Sequence, residues 1–215
     1  MAKIDFVSDV SCPWCAIGLQ SLLAALKNVG SGAENLHFQP FELNPDMPPE
    51  GEDIAEHIAH KYGSSPQQFA QSQEMIRDRG AQLGFRFDMQ KRTRIYNTFD
   101  AHRLLHWADI EGRQLELKQA LFAAYFGDGA DVSDHVVLAQ IAGQVGLDPM
   151  DTQELLESDR FASEVRARED FYRSQGINAV PAVIVNDRHL IEGGQPVAVF
   201  EKVLRQLGVA GRRAG

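Results

Sequence analysis

Apolar and polar positions divide the chain into stretches of different period. Residues 3–8, Lys3-Ile4-Asp5-Phe6-Val7-Ser8, alternate in character and predict a short strand with Ile4 and Phe6 on one face. Asp9-Val10-Ser11 reads as a tight turn. From Cys12 the period changes. Leu19, Leu22, Leu23 and Leu26 follow the i, i+3, i+4, i+7 stripe of an amphipathic helix. Ser11 is its predicted N-cap, and Pro13 stands at an early helical position that tolerates proline. Gly30 and Gly32 end the helix, and Leu36, Phe38 and Phe41 make a second strand. A β–α–β order favours a parallel pair.

Residues 46–176 have another rhythm. After Asp46-Met47-Pro48-Pro49 the strand-like alternation stops, and helical stripes follow over 52–62, 66–83, 97–111, 115–126, 134–145, 149–157 and 159–175. Asp148-Pro149 predicts an N-cap followed by proline at the first helical position, and Gly176 closes the last helix. Strands return at Ala182-Val183-Ile184-Val185, a short apolar run expected of a strand buried on both faces. Asn186-Asp187-Arg188 turns the chain so that His189-Leu190-Ile191 pairs back as a hairpin. Gly193-Gly194-Gln195-Pro196 leads into a last helix, capped by Gly208, whose Val199, Phe200, Val203, Leu204 and Leu207 share a face. The tail from Ala210 to Gly215 is expected to fray. The fold class is α/β: residues 1–45 and 177–215 form one domain, and residues 46–176 form a large all-helical insertion. The last helix of that insertion, about 159–176, is expected to pack on the sheet.

Composition narrows the function. The 215 residues and 44% hydrophobic content suit an ordinary globular core. A net charge of −9 offers no basic face to nucleic acid or an anionic membrane, so neither is an expected partner. No apolar run reaches about 18 residues, the length a spanning helix needs. Lys3, Asp5 and Asp9 interrupt the stretch where the apolar part of a signal peptide would lie. The expected location is therefore cytoplasmic, where glutathione and thioredoxin keep most thiols reduced. Two cysteines three apart in that compartment point to catalysis, redox sensing or half of a metal site rather than a structural staple.

Cys12-Pro13-Trp14-Cys15 is the strongest motif, because it follows a strand directly and opens a helix. The first turn of a helix offers unpaired N–H groups and the positive end of the dipole, which favour a thiolate. Cys12, at the very end, is thus the expected attacking group, and Cys15, one turn deeper, the resolving thiol. Half of a zinc site has the same spacing, but zinc needs two more ligands. With no second C-x-x-C these would be His57 and His60, or His102 and His106, pairs set inside ordinary helical stripes; no metal site is expected. Val180-Pro181 is the second feature. A proline directly before a buried strand cannot donate to the ladder and needs a local reason. A cis bond is one reason; a trans proline at a strand start is the plainer one.

The C-x-x-C at a strand–helix junction, the helical insertion, and Val180-Pro181 before the β–β–α unit together resemble the DsbA family of thioredoxin-fold proteins. The resemblance covers nearly the whole chain. It is nearest to the cytosolic FrnE-like branch, relatives of 2-hydroxychromene-2-carboxylate isomerase and kappa-class glutathione transferase. Ser8-Asp9, Gly18, Phe41-Glu42-Leu43-Asn44-Pro45, Asn97-Thr98, Ala101-His102-Arg103-Leu104, Trp107-Ala108 and Gly176-Ile177-Asn178-Ala179 carry it, with Gly193-Gly194-Gln195-Pro196. The resemblance implies a thioredoxin-like fold with Pro181 cis against the thiols. It also implies a Val180 backbone that pairs with a bound substrate chain, in the manner of strand addition. Asn44, Gly194 and Gln195 would lie near other parts of bound glutathione, a possible co-substrate; no tightly bound cofactor is implied. Two departures matter. The isomerases and kappa transferases place a serine where this chain has Cys12, so two cysteines favour redox work. Strongly oxidising DsbA proteins have a histidine where Trp14 stands, and they keep a buried acid where Phe6 stands. A milder oxidant is implied, with the Cys15 proton exchanged through water or another group.

Other side chains have plainer readings. His102 and His106 share a helical face with Phe99 and are candidates to line a cleft. Pro13 and Trp14 flank the thiols, and Trp14 offers substrate an apolar contact. Phe122, Tyr125 and Phe126 read as helical core. The Arg92–Arg94 run reads as a solvated patch, or as an attractor for the carboxylates of glutathione. The leading expectation is a thiol–disulfide oxidoreductase, monomer or homodimer, acting on thiol or disulfide substrates of protein or small-molecule kind. Behind it stand a glutathione-dependent isomerase or transferase, and a non-enzymatic binding module or chaperone.

Overall fold

The computed structural model describes residues 2–209, so the tail expected to fray lies outside the described residues. In chain order come β1 (Ile4–Ser8), α1 (Pro13–Asn28), β2 (Leu36–Pro40), β3 (Glu52–Asp53), α2 (Ile54–Tyr62), α3 (Pro66–Gln82) and β4 (Arg94–Ile95). Next are α4 (Phe99–Ile110), α5 (Gln114–Phe122), a π-helical continuation over Ala123–Asp128, α6 (His135–Gln144), α7 (Pro149–Glu157) and α8 (Ala162–Ser174). The chain closes on β5 (Ala182–Val185), β6 (His189–Glu192) and α9 (Val197–Gln206).

One sheet organises the molecule, in the strand order β2-β1-β5-β6. β1 pairs parallel with β2 and antiparallel with β5, so Phe6 stands between Phe38 and Val183. All five residues of β1 are buried. Its two faces feed different clusters: Ile4 and Phe6 join the main core with Leu19, Leu22 and Phe38, while Val7 packs with Phe41, Tyr172 and Ala182. Asn186 and Asp187 both take positive φ, 54° and 55°, which turns the β5–β6 hairpin with the twist that flanking strands favour.

The helices follow local sequence closely. Asp148 accepts from the Met150 and Asp151 amides before Pro149, as an N-cap should. Phe122, Tyr125 and Phe126 are fully buried. Between residues 46 and 176 helices joined by loops carry, among the described residues, one two-residue antiparallel ladder, in which Glu52 pairs with Ile95 and Asp53 with Arg94. Met47, Ile54 and Ile95 form a small apolar cluster beside it, drawn from positions too far apart in sequence to show as alternation. The helix expected from residue 52 therefore begins at Ile54, capped by the Asp53 carboxylate.

β2 is a sheet edge, yet it is buried beneath α4, α5 and α8. Buried backbone groups need partners, and Gln114 supplies them. Its Oε1 accepts the Phe38 N–H at 2.8 Å, and its Nε2 donates to the Phe38 carbonyl at 3.0 Å. Replacing Gln114 with Leu leaves both groups unpaired and buried, and should cost about 2–3 kcal/mol. Urea denaturation measures this, and an unchanged midpoint would contradict the assigned pairing.

Candidate active site

α1 starts where β1 and its turn deliver it. Ser11 is not the cap that the sequence suggested. Cys12 holds that position (φ −88°, ψ 113°) with no side-chain cap bond, and Pro13 begins the helix. The Ser11 hydroxyl is taken by Asp9, donating to its Oδ2 at 3.1 Å. Asp9 also accepts the Ser11 N–H at 3.2 Å and the Leu43 N–H at 2.7 Å. Burial pushes the Asp9 carboxyl up, but His102, the Leu43 amide and Thr98 outweigh it and bring it to about 2. Asp9 thus stays ionised beneath the turn that carries Cys12.

Both cysteines are free thiols. Cys12 is 3% exposed and Cys15 fully enclosed. The Cys12 thiol donates to the Val180 carbonyl, 3.8 Å away. Burial pushes the Cys15 thiol well up, and a hydrogen bond to the Cys12 sulfur and that sulfur's charge push it further. The Val180–Pro181 peptide bond is cis. Pro181 is buried and reaches α1 at Gly18, where a Cβ would stand 3.1 Å from the proline ring.

Cys12 lines a cleft of about 720 Å³. Pro13, Trp14, Asn44 and Val180 line it too, so the structure brings these five together. The far wall comes from α2 and α3, with Ile54, Ile58, Tyr62, Phe69 and Ile76. Asn44 is not free to turn: its Oδ1 accepts from Lys61 at 2.6 Å and lies 3.0 Å from His57 Nε2. Gly194 and Gln195 do not line the cleft. Gly194 lies behind α1, where a Cβ would come within 2.9 Å of the Trp14 carbonyl, and Gln195 donates to the Glu192 carbonyl in its own loop.

His102 and His106 are not in the cleft either. α4 turns both toward a separate small chamber: His102 is buried with Nε2 3.6 Å from Asp9, and the His106 ring lies 4.9 Å from that of Phe161, tilted by 51°. The expected solvated patch at Arg92–Arg94 is likewise overturned. Arg92 is buried, its guanidinium 5.1 Å from the Tyr125 ring and 4.9 Å from that of Phe126. It donates to the Ser11 carbonyl at 3.2 Å and lines the cleft beside Cys12.

Several buried groups near the thiols escaped sequence reasoning. Glu42 accepts from Arg166, and its N–H donates to Glu169 at 2.8 Å. Burial and the nearby Glu169 charge hold the Glu42 carboxyl up at about 7, against the pull of Arg166. Lys118 is fully enclosed in α5. Its position did carry a signal, for it falls on the stripe of Gln114, Leu117, Leu121 and Phe122, where a polar residue faces the core.

A family model for the DSBA-like thioredoxin domain matches residues 3–205. The uncharacterised protein YwbO of Bacillus subtilis is 27% identical over 202 residues, covering 94% of each chain. Among solved structures, a probable DsbA oxidoreductase from Streptomyces coelicolor aligns with a TM-score of 0.89 at 27% identity, covering 100% of this chain and 93% of that one. The cytosolic disulfide reductase DsbM from Pseudomonas aeruginosa, solved with GSH, shares the fold at a TM-score of 0.66 and 14% identity, covering 96% of this chain and 99% of that one. With its strand–helix thiols, its buried sheet and its helical block, the chain belongs to the DSBA-like thioredoxin domain family.

Proposed function

We propose that this protein exchanges a Cys12–Cys15 dithiol and disulfide with substrate thiols or disulfides, through a mixed disulfide at Cys12. One observation carries the reading: Cys12 faces an open cleft from the first turn of a helix, while Cys15 sits fully enclosed one turn below. Cys12 stands at the helix N-terminus, and a thiolate is the form that attacks in disulfide exchange.

In the reducing direction the Cys12 sulfur attacks one sulfur of a substrate disulfide. A bond from Cys12 to that sulfur forms, and the other sulfur leaves as a thiolate. The Cys15 sulfur then attacks Cys12, closing the intramolecular disulfide and expelling the second substrate thiolate. Two electrons pass to the substrate and the Cys15 proton is released. Run backwards, the same steps oxidise a substrate dithiol. The charge of Cys12 helps to keep Cys15 protonated before the first step. Once Cys12 is in a mixed disulfide that charge is gone, so Cys15 ionises more readily when it is needed.

The site also suits glutathione as co-substrate. Arg92, Arg173 and Lys61 line the cleft, and the neighbour DsbM was solved with GSH. The Val180 carbonyl, turned toward Cys12, would serve a bound peptide backbone, and Trp14 would cover its apolar part. A cytosolic setting, which keeps substrate thiols reduced, belongs to the same proposal.

Cys12→Ser should lower glutathione-coupled reduction of insulin disulfides by about a thousandfold or more, the scale of losing a nucleophile. Substantial retained turnover would remove Cys12 from the mechanism. Cys15→Ser should accumulate a stable mixed disulfide, read by mass spectrometry as one added glutathionyl group. Full glutathione-linked activity in Cys15→Ser would instead favour an isomerase or transferase.

A further inference from the structure

We propose that Glu52, His57 and Lys61 are positioning residues for the substrate. Together they hold the Asn44 side chain so that its amide N–H groups are offered to a carbonyl or carboxylate oxygen of the bound molecule. The inference rests on the glutathione reading above and names side chains that set its specificity.

The three come from one short stretch of chain. Glu52 is fixed by its ladder pairing with Ile95, and Asp53 caps α2 by accepting the Ala55 and Glu56 amides. His57 and Lys61 follow one turn apart on α2, and both line the cleft with Asn44. The His57 side chain is 12% exposed, whereas His60 on the same helix faces solvent.

Their contacts decide which way each group is turned. Lys61 Nζ lies 2.6 Å from the Asn44 side-chain oxygen and 2.6 Å from the Leu43 carbonyl. An ammonium donates and cannot accept, so the Asn44 atom that faces it must be the oxygen. The amide turned over would set donor against donor. His57 Nε2 lies 3.0 Å from that same oxygen, so Nε2 carries a hydrogen and donates it. On the other side of the ring, Nδ1 lies 2.5 Å from Glu52 Oε2, and a proton between them completes the chain. Glu52 thus orients His57, and His57 and Lys61 orient Asn44. With Oδ1 engaged twice, the two hydrogens on Nδ2 are what Asn44 has left to give to the cleft it lines.

The same donor is tied to the attacking thiol. The Leu43 N–H, one residue back, donates to Asp9 Oδ2 at 2.7 Å. Asp9 also accepts the Ser11 hydroxyl at 3.1 Å and the Ser11 N–H at 3.2 Å, directly before Cys12. Leu43-Asn44 and Cys12 therefore belong to one hydrogen-bonded frame, and the span from substrate anchor to sulfur is set before substrate arrives. An amide already ordered need not be ordered on binding, which favours the substrate that uses it. The sulfur chemistry is the exchange given above; these residues alter which disulfide is held for it.

Two disulfides separate this role from a merely structural one. Glutathione disulfide carries carbonyls and carboxylates; bis(2-hydroxyethyl) disulfide carries neither. The rate at which each consumes the thiols of the reduced protein is followed over a range of concentrations by alkylation and mass spectrometry. His57→Leu should raise the half-saturating concentration of glutathione disulfide about tenfold, the scale of one hydrogen bond. The preference for it over bis(2-hydroxyethyl) disulfide should fall by the same factor. Asn44→Asp keeps an acceptor for Lys61 and His57 but loses the donor, so it should lower the preference at least as much. The double variant should be no worse than Asn44→Asp alone, because His57 acts through Asn44. His57→Gln places an amide N–H near where Nε2 stood and should restore most of the preference. Should His57→Leu not fold, Glu52→Leu, at a side chain 47% exposed, is read in the same way. Parental preference in His57→Leu or Asn44→Asp, equal losses on both disulfides, or additive losses in the double variant overturn the proposal. Absence of saturation by glutathione disulfide in the unsubstituted protein would instead overturn the glutathione reading, and this inference with it.

Discussion

Everything in this molecule turns on a buried strand that ends at a helix start. β1 is enclosed on both faces, so its end is held rigidly by packing from α1, β2 and β5. The chain leaves it through a turn fixed by the ionised Asp9 carboxylate, and Pro13 begins α1 at once. Cys12 is thereby pinned at the positive end of a helix, and Cys15 is placed one turn inside the hydrocarbon. The two sulfurs differ in depth: the upper one faces a cleft, the lower one nothing but protein.

The helical segment does more than add bulk. It supplies the far wall of the cleft from α2 and α3, the Arg92 guanidinium under the Ser11 carbonyl, and the enclosed amine of Lys118. It also completes the sheet, for Gln114 pairs the edge of β2 that would otherwise be bare. Gln114 and Lys118 lie one helical turn apart on α5, so one face of one helix both closes the sheet and buries an amine against the rings of Phe38 and Phe122. Buried polar groups stay in place when their hydrogen bonds are met within a network. Asp9, Glu42, Arg166 and Glu169 link the β1–α1 turn, the β2 exit and α8 in this way, with His102 of α4 3.6 Å from Asp9.

Much of this was legible in the chain. The period change at Cys12, the apolar run at 182–185, the Asp148-Pro149 cap and the buried aromatics of residues 122–126 each state their structure locally. So does the C-x-x-C at a strand–helix junction. What escaped depends on distant partners. Ser11 looked like a cap because nothing local shows that Asp9 captures its hydroxyl. Arg92 looked solvated because the rings of Tyr125 and Phe126 that cover it lie more than thirty residues away. His102 and His106 were placed on the right face of α4, but only the packing of that helix decides which cavity the face meets. Asn44 lines the cleft, while Gly194 and Gln195 lie outside it, where a glycine lets the loop approach the Trp14 carbonyl.

The paired sulfurs are the claim on which the rest stands. Equilibrating the protein across a series of glutathione redox buffers, then quenching with acid and counting free thiols by alkylation and mass spectrometry, tests it most directly. The account predicts one reversible two-electron transition between two free thiols and an internal Cys12–Cys15 disulfide, with the glutathionyl adduct only transient. A stable adduct on Cys12 with Cys15 still free at equilibrium, or two thiols unresponsive across the whole series, would contradict it.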